Sequence, residues 1–439
     1  MRLYCATNLA RPLFEPITDD SSGRVPTRFD SNQIPLIDES HMKLEAASYA
    51  VRIQDNAVMD ESWETIKSQL RITRAENDCL FDQRGTRLID LFSGNGTVWL
   101  GHANARINER LAAQLNRVWI TGGLETEIHL EAVSAIEGFM PATHRVAGLY
   151  STGMEAAEFA IRVARVVTGR TDVVGFARSM HGKSLATAYL GWDNRDGVRL
   201  PQFHRLPFIS TVAEDELLEL LRCTLQDHPV AAVFIEPLQG SGGGHAATDS
   251  FYEQVYQLCR ESGALLVFDE ILTGFYRTGT PFYFTKMNFH PDLLLLGKAM
   301  GNGFAVSGLV AHKDYTIRPE MLPGSTYAGN PLACAAITAT LTELPKLRPL
   351  EKVPEIEKLI CNCLSPLREH GVQVRGRGAM WILELPDRFD LQQVSLRLYK
   401  RGVLLSYTGR ILRLLPTLTT LPDNLAKACE IVREELTDN

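Results

Sequence analysis

Between about Val146 and Ala311 the chain alternates short apolar runs with helical patterns, and this alternation narrows its possible folds more than any other feature. The runs are Val146–Tyr150, Val173–Phe176, Ala231–Ile235, Ala264–Phe268, Leu293–Leu296 and Val306–Ala311. Helical patterns over Glu155–Val167, Glu214–Leu225 and Phe251–Ser262 separate several of them. Continuous apolar runs, without polar alternation, suit strands covered on both faces. Strands interleaved with helices imply an α/β architecture with a mostly parallel sheet. Such sheets bind ligands outside the carboxyl ends of their strands, so the residues that follow each run carry the functional interest.

The flanks differ in character. Residues 1–40 scatter Pro12, Pro16, Pro26 and Pro35 among polar residues and read as an irregular arm. Helical character rises from Met42 to Leu70, and a strand–turn–strand pattern follows through Leu91, so residues 41–90 are assigned to the N-terminal part of a small domain. Residues 91–330 form the large α/β domain. Beyond residue 330, helical stretches at 332–344, 355–368, 390–401 and 424–436 alternate with short strands near Val372–Val374, Met380–Leu385 and Val403–Leu405. Residues 331–439 therefore read as the rest of a smaller α+β domain built from both ends of the chain. A length of 439 residues accommodates this division.

Composition excludes several classes of function. A formal charge of −7 disfavours nucleic acid or an acidic membrane as partner. No apolar run is long enough for a membrane span, and the first residues resemble neither a signal peptide nor an anchor. The eight cysteines are scattered. Only Cys361 and Cys363 lie close, without the spacing of a zinc site, so no metal is expected and the thiols suit a reducing, cytoplasmic compartment.

Four junctions could carry chemistry. In Leu149–Ala157 a strand turns through Ser151-Thr152-Gly153-Met154 into a helix, whose free N–H groups and dipole suit a phosphate; plain helix capping is the other reading. Asp269 and Glu270 end a buried run: one acid could hold a protonated ring nitrogen while the other pairs with an arginine, or Asp269 simply caps the next turn. Glu236 stands at the end of another strand. Four consecutive leucines lead through Gly297 to Lys298. A buried amine loses its proton readily and becomes a nucleophile toward a carbonyl, although a strand-end lysine can also snorkel to solvent. Two further loops are rich in glycine and small polar residues, Phe92–His102 and Gly324–Pro331.

A phosphate cradle, a strand-end aspartate and a strand-end lysine, in that order, are the parts a pyridoxal phosphate enzyme needs. The chain resembles the class III aminotransferases of the fold-type I pyridoxal phosphate family, from about residue 80 to 436. The resemblance rests on Phe268-Asp269-Glu270, Thr273-Gly274-Phe275, Arg277-Thr278-Gly279, Pro291-Asp292, Gly297-Lys298-Ala299, Ser325-Thr326-Tyr327 and Gly329-Asn330-Pro331-Leu332-Ala333. It implies a large seven-stranded sheet domain plus a smaller domain from both termini. It also implies that Lys298 forms the Schiff base with the cofactor and then shuttles protons, and that Asp269 partners the pyridine nitrogen. By the same resemblance Ile271 covers one ring face, Thr152, Gly153 and Met154 form the phosphate loop, and Glu236 is the acid after the preceding strand. Met180 and His181 match the segment over the other ring face. Thr326 matches a threonine that reaches the phosphate from a neighbouring subunit, which implies a homodimer with shared active sites. Arg413 matches the arginine that binds a substrate carboxylate, and Trp99 lies in a loop expected to line the substrate pocket.

The chain departs from the family pattern at four places. Thr152-Gly153-Met154 stands where Ser-Gly is common, and Met180 stands where an aromatic precedes His-Gly. Leu272 occupies a common glutamine position, and Ser241 the position of a glutamate that holds the carboxylate-binding arginine in some members. The expected activity is amino transfer from an amino acid such as glutamate to an aldehyde or keto acceptor of the ω-amine type. It would run by ping-pong through pyridoxamine phosphate. An aminomutase resembling glutamate-1-semialdehyde aminomutase, a decarboxylase, a racemase, and a non-catalytic binding protein are the alternatives on the same fold.

Overall fold

A computed structural model describes residues 67–68, 70–192, 200–322 and 324–437. The irregular arm expected over residues 1–40, and most of the helical stretch expected from Met42 to Leu70, lie outside these residues. A first sheet begins with β1 (Ile72–Glu76), β2 (Cys79–Asp82) and β3 (Arg87–Asp90), joined antiparallel. The main sheet contains β4 (His144–Tyr150), β5 (Asp172–Phe176), β6 (Phe203–Leu206), β7 (Val230–Ile235), β8 (Leu265–Asp269), β9 (Leu293–Gly297) and β10 (Ser307–His312). Its order is β4-β10-β9-β8-β7-β5-β6, and β10 alone runs against the others.

The six apolar runs account for six of its strands. Every residue of β5, β7, β8 and β9 is buried, as a sheet covered on both faces requires. The helix Gly153–Thr168 lies on one face through Ala156, Ala157, Ala160 and Ala164, whose small side chains let it approach the strands closely. Helices Glu214–Asp227 and Asp249–Ser262 bury leucines and aromatics in the other large apolar cluster.

The chain after residue 331 adds helices Pro331–Glu343, Pro349–Leu364, Leu391–Lys400 and Pro422–Thr437. It also adds β11 (Gln373–Arg377), β12 (Met380–Glu384), β13 (Val403–Leu404), β14 (Ser406–Thr408) and β15 (Ile411–Leu414). A third sheet has the order β11-β12-β15-β14. Strand β13 pairs parallel with β3, Val403 against Ile89, so residues from both ends of the described chain share the first sheet. Among the described residues, no helix is long and apolar enough to cross a membrane.

Candidate active site

Strands β4, β5, β7, β8 and β9 run in the same direction, so the segments that follow them emerge at one end of the sheet. Those segments carry Thr152, Met180 and His181, Glu236, Asp269 and Lys298. The packing of two glycines confirms that they converge. A Cβ on Gly153 would lie 2.6 Å from Ile271 Cδ1, and one on Gly182 would lie 3.0 Å from Met154 Cβ. Ile271 also lies against Gly297, the residue before the lysine. One isoleucine therefore links the start of the helix to the end of β9.

Lys298 has a backbone φ of 44°, a left-handed conformation that a side chain of this kind seldom adopts. Burial pushes its amine down to about 8, against the opposing pull of Asp269 and Glu236. Asp269 is buried; its Oδ1 accepts the N–H of Ile271 at 3.1 Å, and its Oδ2 lies 2.8 Å from His181 Nδ1. A carboxylate can only accept, so the imidazole proton sits on Nδ1. His181 Nε2 is buried without a partner. Glu236 accepts the N–H of Met180 at 2.6 Å and of Gly240 at 3.1 Å, and so ties the segment after β5 to the end of β7. Burial raises its pKa above the ordinary carboxyl range.

The helix that starts at Gly153 is closed by a capping box. Thr152 Oγ1 accepts from the Glu155 N–H, while Glu155 Oε2 accepts from the N–H groups of Ser151 and Thr152. The N–H groups of Gly153 and Met154 have no intrahelical acceptor and are the donors left for an anion. Ser307 Oγ fixes this turn by donating to Thr152 O at 2.6 Å.

Arg413, on β15, is buried among oxygen atoms that carry no charge. Its Nη2 donates to Asn95 Oδ1 at 2.9 Å, Nη1 to Ser241 Oγ at 3.1 Å and Nε to Ser406 Oγ at 3.1 Å. Among the described residues it has no ion-pair partner, and burial lowers its pKa while the charge of Glu236 raises it. Beside Ser241 opens a cavity of about 820 Å³ that includes Arg178, Trp192, Arg205, Glu384 and Arg410. Sequence reasoning missed Asn95 and Ser406. Asn95 comes from a kinked turn, Ser93–Gly96, in which Gly94 and Asn95 are both left-handed, and no sequence pattern announced that geometry.

Two expectations need correction. Trp99 is fully buried, donates to Phe275 O at 2.8 Å and lies under the Arg277 guanidinium, so it supports the wall and cannot touch a substrate. Among the described residues Glu270 pairs with no arginine; it accepts from Thr273 Oγ1 and from the N–H groups of Tyr283 and Phe284, and burial raises it to about 7. Thr326 is exposed and makes no hydrogen bond to this cluster among the described residues, so it is available to a neighbouring subunit.

The model of the family described as Aminotransferase class-III matches residues 62–436. This chain belongs to the class III aminotransferases. It is 33% identical over 377 residues to a [LysW]-aminoadipate semialdehyde/glutamate semialdehyde transaminase of Sulfolobus acidocaldarius, covering 84% of this chain and 95% of that one. An acetylornithine aminotransferase of Bacillus subtilis is 31% identical, with 83% and 94% covered. Among solved structures, an ornithine aminotransferase of Toxoplasma gondii, described with pyridoxal phosphate at its active site, superposes with a TM-score of 0.77. It is 25% identical, with 90% of this chain and 97% of that one covered. The chain is thus a pyridoxal phosphate-dependent aminotransferase. The residues gathered here fit that cofactor: the amine of lowered pKa, the buried carboxylate and the uncapped N–H groups meet around Ile271.

Proposed function

We propose that the enzyme transfers an amino group between a glutamate-like amino acid and a carbonyl acceptor of the aldehyde or semialdehyde type. The observation that carries this reading is Arg413, a buried guanidinium held by neutral oxygens and, among the described residues, by no carboxylate. Guanidinium keeps its charge, so this position favours a substrate that brings a carboxylate. Relatives named for semialdehydes and for acetylornithine support a second substrate that carries its amine or aldehyde at the far end of a chain.

Pyridoxal phosphate, when bound, supplies a carbonyl carbon for the amine and a ring that takes up the electron pair released at the substrate carbon. Asp269 would hold a proton at the ring nitrogen, with His181 keeping that carboxylate in place. Gly153 and Met154 would donate their N–H groups to the phosphate. Ile271 would cover one ring face and Met180 the other, a softer cover than an aromatic. Glu236 holds the Met180 segment at its height. Lys298 would hold the cofactor through Nζ and, once displaced by the substrate amine, would carry the proton from the substrate carbon that bears the nitrogen to the former carbonyl carbon. Arg413 fixes the substrate carboxylate, which aims that proton at Nζ.

Two copies of the chain complete the site in this reading. Thr326 belongs to the partner's phosphate, and the exposed apolar residues Leu124, Leu130 and Tyr327 provide surface to be covered. We place the boundaries of the large domain near residues 91 and 330, and the enzyme in the cytoplasm, where seven free thiols among the described residues stay reduced.

The test is spectroscopic. Glutamate added to the purified enzyme should abolish the visible absorbance of the bound cofactor, and a semialdehyde should restore it; no response to any donor would remove the transaminase reading. Lys298→Ala should end both the absorbance change and turnover. Arg413→Gln should lower kcat/KM for glutamate by about 30- to 1000-fold, equivalent to roughly 2–4 kcal/mol for a buried charge partner lost. Kinetics with a simple uncharged amine should change far less.

A further inference from the structure

At the opposite end of the main sheet, where β5 begins, lies a group of side chains that amino transfer does not use. Asp172 Oδ2 accepts from His204 Nε2 at 2.7 Å, and His228 Nδ1 stands 3.8 Å from the same oxygen. All three donor atoms fall within 4.8 Å of one another. The two imidazoles are tilted by 37° with centroids 4.2 Å apart.

We propose that Asp172, His204 and His228 bind one divalent transition-metal ion of the zinc class. Two imidazole nitrogens and a carboxylate oxygen are a common donor set for such ions. Bonds of about 2.1 Å in a tetrahedron place donors roughly 3.4 Å apart, between the two separations found here, so small side-chain shifts complete the site. Thr171 Oγ1 donates to the other oxygen of Asp172 at 2.8 Å, which leaves Oδ2 facing the histidines. The backbone is already tied: the N–H groups of Thr171 and Asp172 both donate to Pro229 O, next to His228. Side-chain exposure rises from 8% at Asp172 to 23% at His204 and 45% at His228, which leaves an open side for a water as fourth ligand.

A plain ion pair explains less. Asp172 and His204 satisfy each other without a second imidazole, and a pair alone gives no reason for His228 Nδ1 to stand at 3.8 Å, beyond hydrogen-bonding distance. The metal has a clear mechanical effect. Strand β6 is an edge strand with β5 as its one neighbour, and the ion joins it to the turn before β7. Its role is to hold that edge, apart from the chemistry at the other end of the strands.

The experiment uses chelator-treated holoenzyme dialysed against zinc, with bound metal counted by elemental analysis. One zinc per chain is expected, together with a thermal midpoint that rises with zinc concentration. His228→Ala replaces a half-exposed side chain and should lower zinc affinity roughly tenfold or more and abolish the thermal gain, with transaminase activity unchanged. His204→Asn should lower zinc affinity likewise. His312→Ala, in the separate group of His144, His290 and His312, should leave the zinc count at one. Zinc binding that survives both His228→Ala and His204→Asn, or that disappears in His312→Ala, would overturn the assignment.

Discussion

Lys298 has to be a free base at moderate pH if it is to attack a carbonyl, and burial sets that condition. Its amine sits at about 8 in the folded enzyme, below the 10.5 of an unhindered lysine. The neutral form is the nucleophile, so the rate at which cofactor-free enzyme takes up pyridoxal phosphate should rise about tenfold per pH unit below 8 and level off above it. Stopped-flow absorbance between pH 6 and 9 measures this, and a rate that keeps rising past pH 9 would show an unshifted amine. Stability follows the same linkage. The folded pKa is depressed, so between about 8 and 10.5 the unfolded chain holds more protons, and this lysine's contribution to stability grows as pH rises through that window. Lys298 and Asp269 were legible in the sequence because each is a charged residue ending a wholly apolar run. Of the partners of Arg413, Ser241 was marked only by the resemblance, and Asn95 and Ser406 were not marked at all; Asn95 lies 318 positions away and meets the arginine only through the fold.

The elements that hold these residues depend on close backbone approach. In β5, a Cβ on Gly175 would lie 2.1 Å from Leu190 O and 2.9 Å from Leu190 C. Both are backbone atoms, so neither can rotate aside. The obstacle is steric and does not depend on an unusual glycine conformation. Gly175→Ala should therefore push Leu190 outward and destabilise the fold by roughly 1–3 kcal/mol. The same shift would disturb Arg178, whose N–H donates to Gly191 O, and with it the Met180–His181 segment. Denaturant unfolding and cofactor retention on dialysis report the two effects; a variant equal to wild type in both would mean that the approach is no constraint. Strands were read from continuous apolar runs, and this explains what that reading missed. Strand β6, Phe203-His204-Arg205-Leu206, sits at the edge with polar residues between apolar ones, so it carries no such run. Strands β14 and β15 are three and four residues long, and β15 is interrupted by Arg413 itself. The boundaries of the other expected helices moved by at most two residues, but Pro349–Leu364 starts six residues before its expected 355, because Pro349 suits the first turn.

For the whole molecule, the remaining question is what covers the apolar surface around the helix Glu127–Glu137. Trp119, Leu124, Leu130 and Tyr327 are 60%, 75%, 53% and 64% exposed. Leu130 and Tyr327 belong to one neighbourhood, because Gly329 lies against the His129 ring. Isolated apolar residues on a surface are ordinary, but bulky ones gathered beside a segment that ends in a helix start are the signature of an interface. A second copy of the chain covers them in the proposed dimer and brings Thr326 to its neighbour's phosphate. Leu124→Glu tests both parts together. On a monomer the substitution is a change at an exposed position and should alter stability by no more than about 0.5 kcal/mol. In a dimer it buries a charge without a partner, so sedimentation velocity should show dissociation at micromolar protein. Thr326→Ala separates assembly from chemistry: the dimer should persist while cofactor affinity falls, by the roughly 1.5–3 kcal/mol of one hydrogen bond to a charged group. Mixing Thr326→Ala with Lys298→Ala, at a pyridoxal phosphate concentration too low to fill the Thr326→Ala dimer, decides whether the site is shared. Each mixed dimer then holds one site with both defects and one with neither, so activity should return to about a quarter of wild type at equal amounts and random exchange. If each chain used its own Thr326, mixing would restore nothing.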